Sequence, residues 1–151
     1  MTSNNPRSPR SPDYRTVVAD ASPGLDERLS AELDRFNAAA TPGVAPAREL
    51  TVQLVDEAGE LAAGLSGWTW GLAGGIAMTW VREESRGDGL GSELMTAFEQ
   101  GARDRGCTHV FVTSFTFQAP GFYERHGYRE IFRWDVVPSA GTADVHFRKE
   151  L

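Results

Sequence analysis

The sequence predicts an α+β fold in which a mixed, mostly antiparallel central sheet is flanked by helices within a single domain. Three observations carry this. The chain has 151 residues, a length suited to one hydrophobic core. Strand-like runs separated by turn signals outnumber the helical ones. The elements follow the order helix, three-strand meander, long helix, strand, short helix, hairpin, with no internal repeat.

Residues 1–13 carry prolines at positions 6, 9 and 12 and few apolar side chains, so a flexible tail that burial cannot order is expected there. Tyr14 to Ala19 reads as a short strand. Ser22 and Pro23, followed by Asp26 and Glu27, signal a helix start, and Leu25, Leu29, Leu33 and Phe36 fall at helical spacing on one apolar face. This helix should stop near Ala40, before Thr41-Pro42-Gly43.

Leu50 to Val55 is the next strand, and the turn Asp56-Glu57-Ala58-Gly59 returns the chain along Glu60 to Trp70. A third strand, Gly75 to Val81, follows Gly71 to Gly74. Between Gly89 and Gly106 lies the strongest helical pattern, with Leu90, Leu94, Phe98 and Ala102 inside and Glu99, Gln100, Arg103 and Asp104 outside. Gly106 ends it. His109 to Phe115 is β-rich, Pro120 to His126 forms a short helix closed by Gly127, and Tyr128 to Val136 and Thr142 to Lys149 are the last two strands.

Composition excludes several classes of function. Hydrophobic residues make up 40%, enough for a packed core, and no run approaches the roughly 18 apolar residues of a membrane span. With no apolar segment behind the N-terminal arginines, the chain reads as soluble and cytoplasmic. A net charge of -6 opposes binding to a phosphate backbone. The single Cys107 rules out an internal disulfide, and His109, His126 and His146 lack metal-ligand spacing, so no metal is expected.

Chemistry concentrates in Val81 to Leu94, VREESRGDGLGSEL, where a strand ends, a glycine-dense turn follows and a helix begins. A helix start presents backbone N–H groups without acceptors and the positive end of the dipole, which together make an anion site. The segment lacks the lysine of a Walker A loop, and Gly87, Gly89 and Gly91 alternate without the gap of the dinucleotide fingerprint. What remains is Arg86-x-x-Gly89-x-Gly91.

That pattern resembles the acyl-coenzyme A pyrophosphate loop of the GNAT superfamily of N-acetyltransferases. A second segment, Ala119-Pro120-Gly121-Phe122-Tyr123-Glu124-Arg125-His126-Gly127-Tyr128, resembles the family's other signature, a short helix with a Phe-Tyr pair before a Gly-aromatic strand start. The two stand in the family's order with one strand between them and cover about the C-terminal half. Phe36-Asn37, Gly64-Leu65-Ser66-Gly67, Trp80-Val81 and Phe115 to Pro120 resemble a subgroup of small bacterial members whose substrates are mostly uncharacterised.

The resemblance implies a GNAT fold, acetyl-coenzyme A as cosubstrate, and a small-molecule amine as acceptor, an antibiotic or other natural product being among the candidates. It implies that Trp80 and Val81 offer backbone groups to the pantetheine arm, and that Arg86, Gly87, Asp88, Gly89, Leu90, Gly91 and Ser92 hold the pyrophosphate. Tyr123 matches the family tyrosine that protonates the departing thiolate; a phenol is protonated at neutral pH and can donate to sulfur as the C–S bond breaks. A monomer or a homodimer is expected.

The strand Gly75 to Val81 departs from the family pattern, because it contains no carboxylate to draw the proton from the amine. Acids and a histidine that the subgroup carries at positions 77, 113 and 142 are also replaced, by Ala77, Thr113 and Thr142. His109 and His146 remain as groups able to titrate near neutrality, although each reads by itself as structural or exposed. Phe36, Trp68, Trp70, Phe115 and Phe117 are candidates for an acceptor pocket for aromatic or cationic amines. Two other functions stay open: an acyl-coenzyme A sensor or interaction module with little catalysis, and a protein or peptide N-acetyltransferase.

Overall fold

A computed structural model describes residues 14–151; the expected tail at 1–13 lies outside the described residues. Helix α1 spans Leu25–Ala40, and β1 (Arg48–Val55), β2 (Leu61–Trp70) and β3 (Ala73–Val81) follow as a meander. A single 3₁₀ turn, Glu83–Ser85, leads to α2 (Leu90–Asp104), then β4 (His109–Phe115), α3 (Pro120–Arg125), β5 (Arg129–Asp135) and β6 (Ala143–Glu150). The six strands form one sheet in the order β1-β2-β3-β4-β6-β5. Every neighbouring pair is antiparallel except β3 and β4. Among the described residues, no helix is long and apolar enough to cross a membrane.

Local chemistry explains the meander. Asp56 Oδ1 accepts the backbone N–H groups of Ala58 and Glu60 at 3.0 and 2.9 Å, an Asx turn that closes the β1–β2 hairpin. Its other oxygen accepts from Arg82 at 2.9 Å, fixing the end of β3 to this turn. The β2–β3 turn is tighter than the sequence suggests, because Trp70 and Ala73 are already paired and only Gly71 and Leu72 lie between them.

One face of the sheet packs on α2, whose Leu94, Met95, Phe98 and Ala102 are fully buried against Ala63, Leu65, Ile76, Val110, Val112, Val145 and Phe147. The predicted stripe is therefore right, with one correction. Glu99, expected outside, is buried, and its carboxylate accepts from Lys149 Nζ at 2.8 Å through both oxygens. A charge can sit at the margin of the stripe because β6 supplies its counter-ion.

Two other expectations change. Tyr14 to Ala19 forms no strand; Val17 and Val18 are exposed and the segment pairs with nothing among the described residues, so its β propensity gains no burial there. Helix α1 ends as expected at Ala40, with Thr41 capping the Asn37 carbonyl, but among the described residues nothing buries its apolar face. Periodicity predicts a face and not a partner for it.

Candidate active site

The parallel pair β3–β4 is joined over only four residue pairs, from Ala73 opposite His109 to Ile76 opposite Val112. Beyond them β3 continues through Ala77 to Val81 and β4 through Thr113 to Phe115 without pairing to each other. The sheet is thus split toward the carboxyl ends of two parallel strands, where α/β folds commonly bind ligands. A cavity of about 490 Å³ lies there, lined among others by Thr79, Trp80, Val81, Arg86, Phe117 and Tyr123.

The glycine-rich loop delivers α2 to this cavity. The first helical bond runs from Glu93 N–H to the Gly89 carbonyl at 3.1 Å, leaving the N–H groups of Leu90, Gly91 and Ser92 without intrahelical acceptors. Gly89 caps the helix at φ +84°, and a Cβ there would meet no atom within 4 Å. Its missing side chain keeps the approach to those N–H groups open. Gly91 also has a packing role: a Cβ on it would stand 2.8 Å from the Phe122 ring, so its missing side chain lets α2 and α3 meet this closely. Gly87 (φ +93°) and Asp88 form the exposed turn before the helix.

Arg86 Nε donates to the Val81 carbonyl at 3.3 Å, bringing its guanidinium to the end of β3. Ser92 Oγ is committed to His126 Nε2 at 3.0 Å, so its side chain ties two helices while its backbone N–H faces the loop. These residues form a cradle of backbone donors with one cation, the donor set that a pyrophosphate fits.

Tyr123 is buried, with its ring against Tyr128 and Phe147, and lines the same cavity. Burial pushes its phenol above the ordinary tyrosine value, and the neighbouring Thr79 hydroxyl offsets part of that rise. The group therefore stays a proton donor at neutral pH. Thr79 Oγ1 is itself buried without a well-formed hydrogen bond to the protein, so it can share the tyrosine proton or bond a ligand. Phe122 packs at the edge of the core and Tyr128 within it.

The expected acceptor aromatics do not form one cluster. Phe117 lines the cavity and stacks on Phe115 at 5.3 Å. Trp68 lies on the sheet face opposite α2, over Gly75, where a Cβ would come within 2.3 Å of its ring. Trp80 joins the cavity to a groove of about 360 Å³ on β1–β3 that includes Ser66 and Met78. Trp70 faces a small crevice under the end of α1, and Phe36 stands exposed on α1, away from the other four.

Sequence reasoning missed Thr79 because β3 was searched only for acids, and it missed Asp144, which touches His146 two residues along β6. His109 sits at the start of β4, bonded to Thr108 and packed on Phe111, at the closed end of the split. Glu83 and Glu84 are exposed on the 3₁₀ turn.

Comparison with known proteins agrees with this geometry. The family model described as "Acetyltransferase (GNAT) family" matches residues 14–128, and the chain belongs to that family. It is 47% identical over 77 residues to the blasticidin-S acetyltransferase of Streptomyces morookaense, a match covering 48% of this chain and 54% of that protein. The match thus spans about half the length of this curated relative. A crystal structure of an acetyltransferase from Bacillus cereus ATCC 14579 superposes with a TM-score of 0.76 at 29% identity, covering 90% of this chain and 98% of the other. An aminoglycoside 6'-N-acetyltransferase complexed with coenzyme A has a TM-score of 0.62 at 16% identity, over 85% and 92% of the two chains, a likeness of fold alone.

Proposed function

We propose that the protein is an acetyl-coenzyme A dependent N-acetyltransferase for a small-molecule amine, working by direct attack of the amine on the thioester. The observation that carries this reading is the continuity of the split between β3 and β4. It leads from the unpaired N–H groups of Leu90, Gly91 and Ser92, past Arg86 and the free edge of β3, to the buried Tyr123 hydroxyl. An acyl thioester supplies the activated carbonyl when bound. The chain's own residues position it: the α2 start and Arg86 bind the pyrophosphate, Trp80 and Val81 orient the arm through backbone groups, and Tyr123 gives a proton to the leaving sulfur.

The acceptor class is supported by the similarity to a blasticidin-S acetyltransferase and by Phe115 and Phe117 stacked at the cavity, which favour a flat or cationic partner. The reading expects a monomer or homodimer in the cytoplasm, a reducing compartment in keeping with the free Cys107 thiol. Thiol release from acetyl-coenzyme A, followed across antibiotics, other small amines and peptides with free N-termini, tests it. Release with a small amine and none with peptides is the expected pattern. Release only with peptides would assign the protein acceptor instead.

A further inference from the structure

We infer that His146, held by Asp144, is the base that takes the proton from the acceptor amine. The inference rests on the N-acetyltransferase reading and supplies the group that β3 lacks. His146 and Asp144 lie two residues apart on β6 and share the sheet face opposite the buried Val145 and Phe147. His146 Nε2 stands 3.2 Å from Asp144 Oδ2, and both side chains are partly buried. Nε2 and Asp144 Oδ1 are shielded from solvent, yet neither has a well-formed hydrogen bond in the protein. Such a pair is costly to leave unsatisfied, and in enzymes without substrate catalytic hydrogen bonds are commonly bent and tighten on binding.

Register places the pair beside the β4 segment that borders the split. His146 is opposite Thr113, and Asp144 opposite Phe115. Thr113 is the first β4 residue beyond the last β3–β4 pair, so the His146 backbone is one strand spacing, about 4.8 Å, from the strand that borders the mouth of the split. Thr113 is exposed and small, leaving the face above it open to an acceptor. On the β5 side His146 meets Phe132, ring to ring at 5.6 Å, with Trp134 beyond. The charged groups sharing its face are Asp144, Arg148, whose guanidinium lies over Phe111, Glu150, which is ion-paired with Arg148, and Arg129 opposite Arg148. His109 lies farther along β4, and β3 contributes no charge from Ala73 to Val81. Among the described residues, Asp144 is therefore the anion in contact with the imidazole.

With the Nε2 proton directed at Asp144, the lone pair on Nδ1 is the free base. The amine nitrogen bonds to the thioester carbonyl carbon as the C–S bond breaks. Its proton passes to Nδ1, directly or through one water, and the sulfur takes the Tyr123 hydroxyl proton. The imidazolium then releases a proton to solvent and the phenolate recovers one, restoring both residues. Asp144 is a positioning residue that fixes the tautomer.

The test compares kcat/KM against pH for acceptors of different amine pKa in the wild type, His146→Gln and Asp144→Ala, with acetyl-coenzyme A affinity measured in each. The wild type should show one rising limb common to all acceptors. His146→Gln should lose about 10²-fold in kcat, bind acetyl-coenzyme A within twofold of wild type, and show a limb that follows each acceptor's own pKa. Asp144→Ala should lower kcat with little change in KM, and the imidazole ¹⁵N spectrum of resting protein should pass from one tautomer to a mixture. A His146→Gln enzyme within threefold of wild type, or a wild-type limb that tracks the acceptors, would overturn the assignment. If His146→Gln does not fold, the wild-type limb and the Asp144→Ala spectrum decide it. A wild type that binds no acetyl-coenzyme A, or acetylates no amine, would instead bring down the functional reading on which this rests.

Discussion

Ser92 Oγ and His126 Nε2 stand 3.0 Å apart, joining the first turn of α2 to the residue that ends α3. The other ring nitrogen of His126, Nδ1, lies 2.8 Å from the Phe122 carbonyl. A carbonyl only accepts, so Nδ1 carries the proton, Nε2 accepts, and the serine hydroxyl donates. The loop that reads as the pyrophosphate site is thereby registered to the helix that carries Tyr123. Ser92→Ala should cost about 1 kcal/mol of stability and lower kcat severalfold while leaving the Tyr123 side chain intact. Thermal unfolding and steady-state kinetics check both; unchanged kcat would mean that the link is structural only.

Gly89 and Gly91 should separate binding from folding. Gly91→Ala drives a methyl against the Phe122 ring and should destabilise by about 1–3 kcal/mol, with partial recovery when Phe122→Leu is added. Gly89→Asn keeps a residue that tolerates the left-handed region and places its side chain across the open helix start. It should fold within about 1 kcal/mol of wild type and lose tenfold or more in acetyl-coenzyme A affinity by calorimetry. Valine at 89 is a poorer probe, since φ +84° strains it.

Alkaline behaviour follows from the two buried tyrosines. Burial raises both phenols, and for Tyr128 the Glu99 carboxylate adds to the effect. In the unfolded chain tyrosine ionises near pH 10, so above that value the unfolded state releases protons that the folded state keeps. Stability conferred by these neutral phenols is complete below about pH 10 and falls as pH rises further. Urea unfolding from pH 8 to 11 should show the decline, reduced in Tyr123→Phe. Loss of turnover through ionisation of Tyr123 should be absent below about pH 10.

Lys149 and Glu99 should behave as a pair. Lys149→Met leaves a carboxylate whose side chain is only 8% exposed, with Arg103 at 3.6 Å as its remaining cation. The expected cost is about 3 kcal/mol. Glu99→Met combined with Lys149→Met should recover most of it, because the interior no longer holds an unpaired charge. Chemical denaturation of the two singles and the double measures the coupling; additive losses would contradict it.

The sequence makes legible what depends on neighbours along the chain. The repeat Leu90, Leu94, Phe98, Ala102 identifies α2, and Gly106 its end. The loop Arg86 to Ser92 and the helix of Tyr123 can be read because their chemistry is local. The split itself cannot: β3 and β4 are separated in sequence by α2, and where their ladder ends is set by packing on both. Asp144 and His146 meet Thr113 and Phe115 only through β6 register, and the burial of Glu99 depends on a lysine fifty residues away. Leu29, Leu33 and Phe36 show the converse, a clear local pattern that stays exposed among the described residues.

Turnover and acetyl-coenzyme A affinity measured side by side in wild type and Tyr123→Phe test the central claim most directly. If the split between β3 and β4 holds the thioester with its sulfur at the phenol, the variant should lose about 10²- to 10⁴-fold in kcat while its dissociation constant stays within twofold. A folded Tyr123→Phe protein with wild-type turnover, or one whose loss of activity follows entirely from loss of binding, would contradict the account.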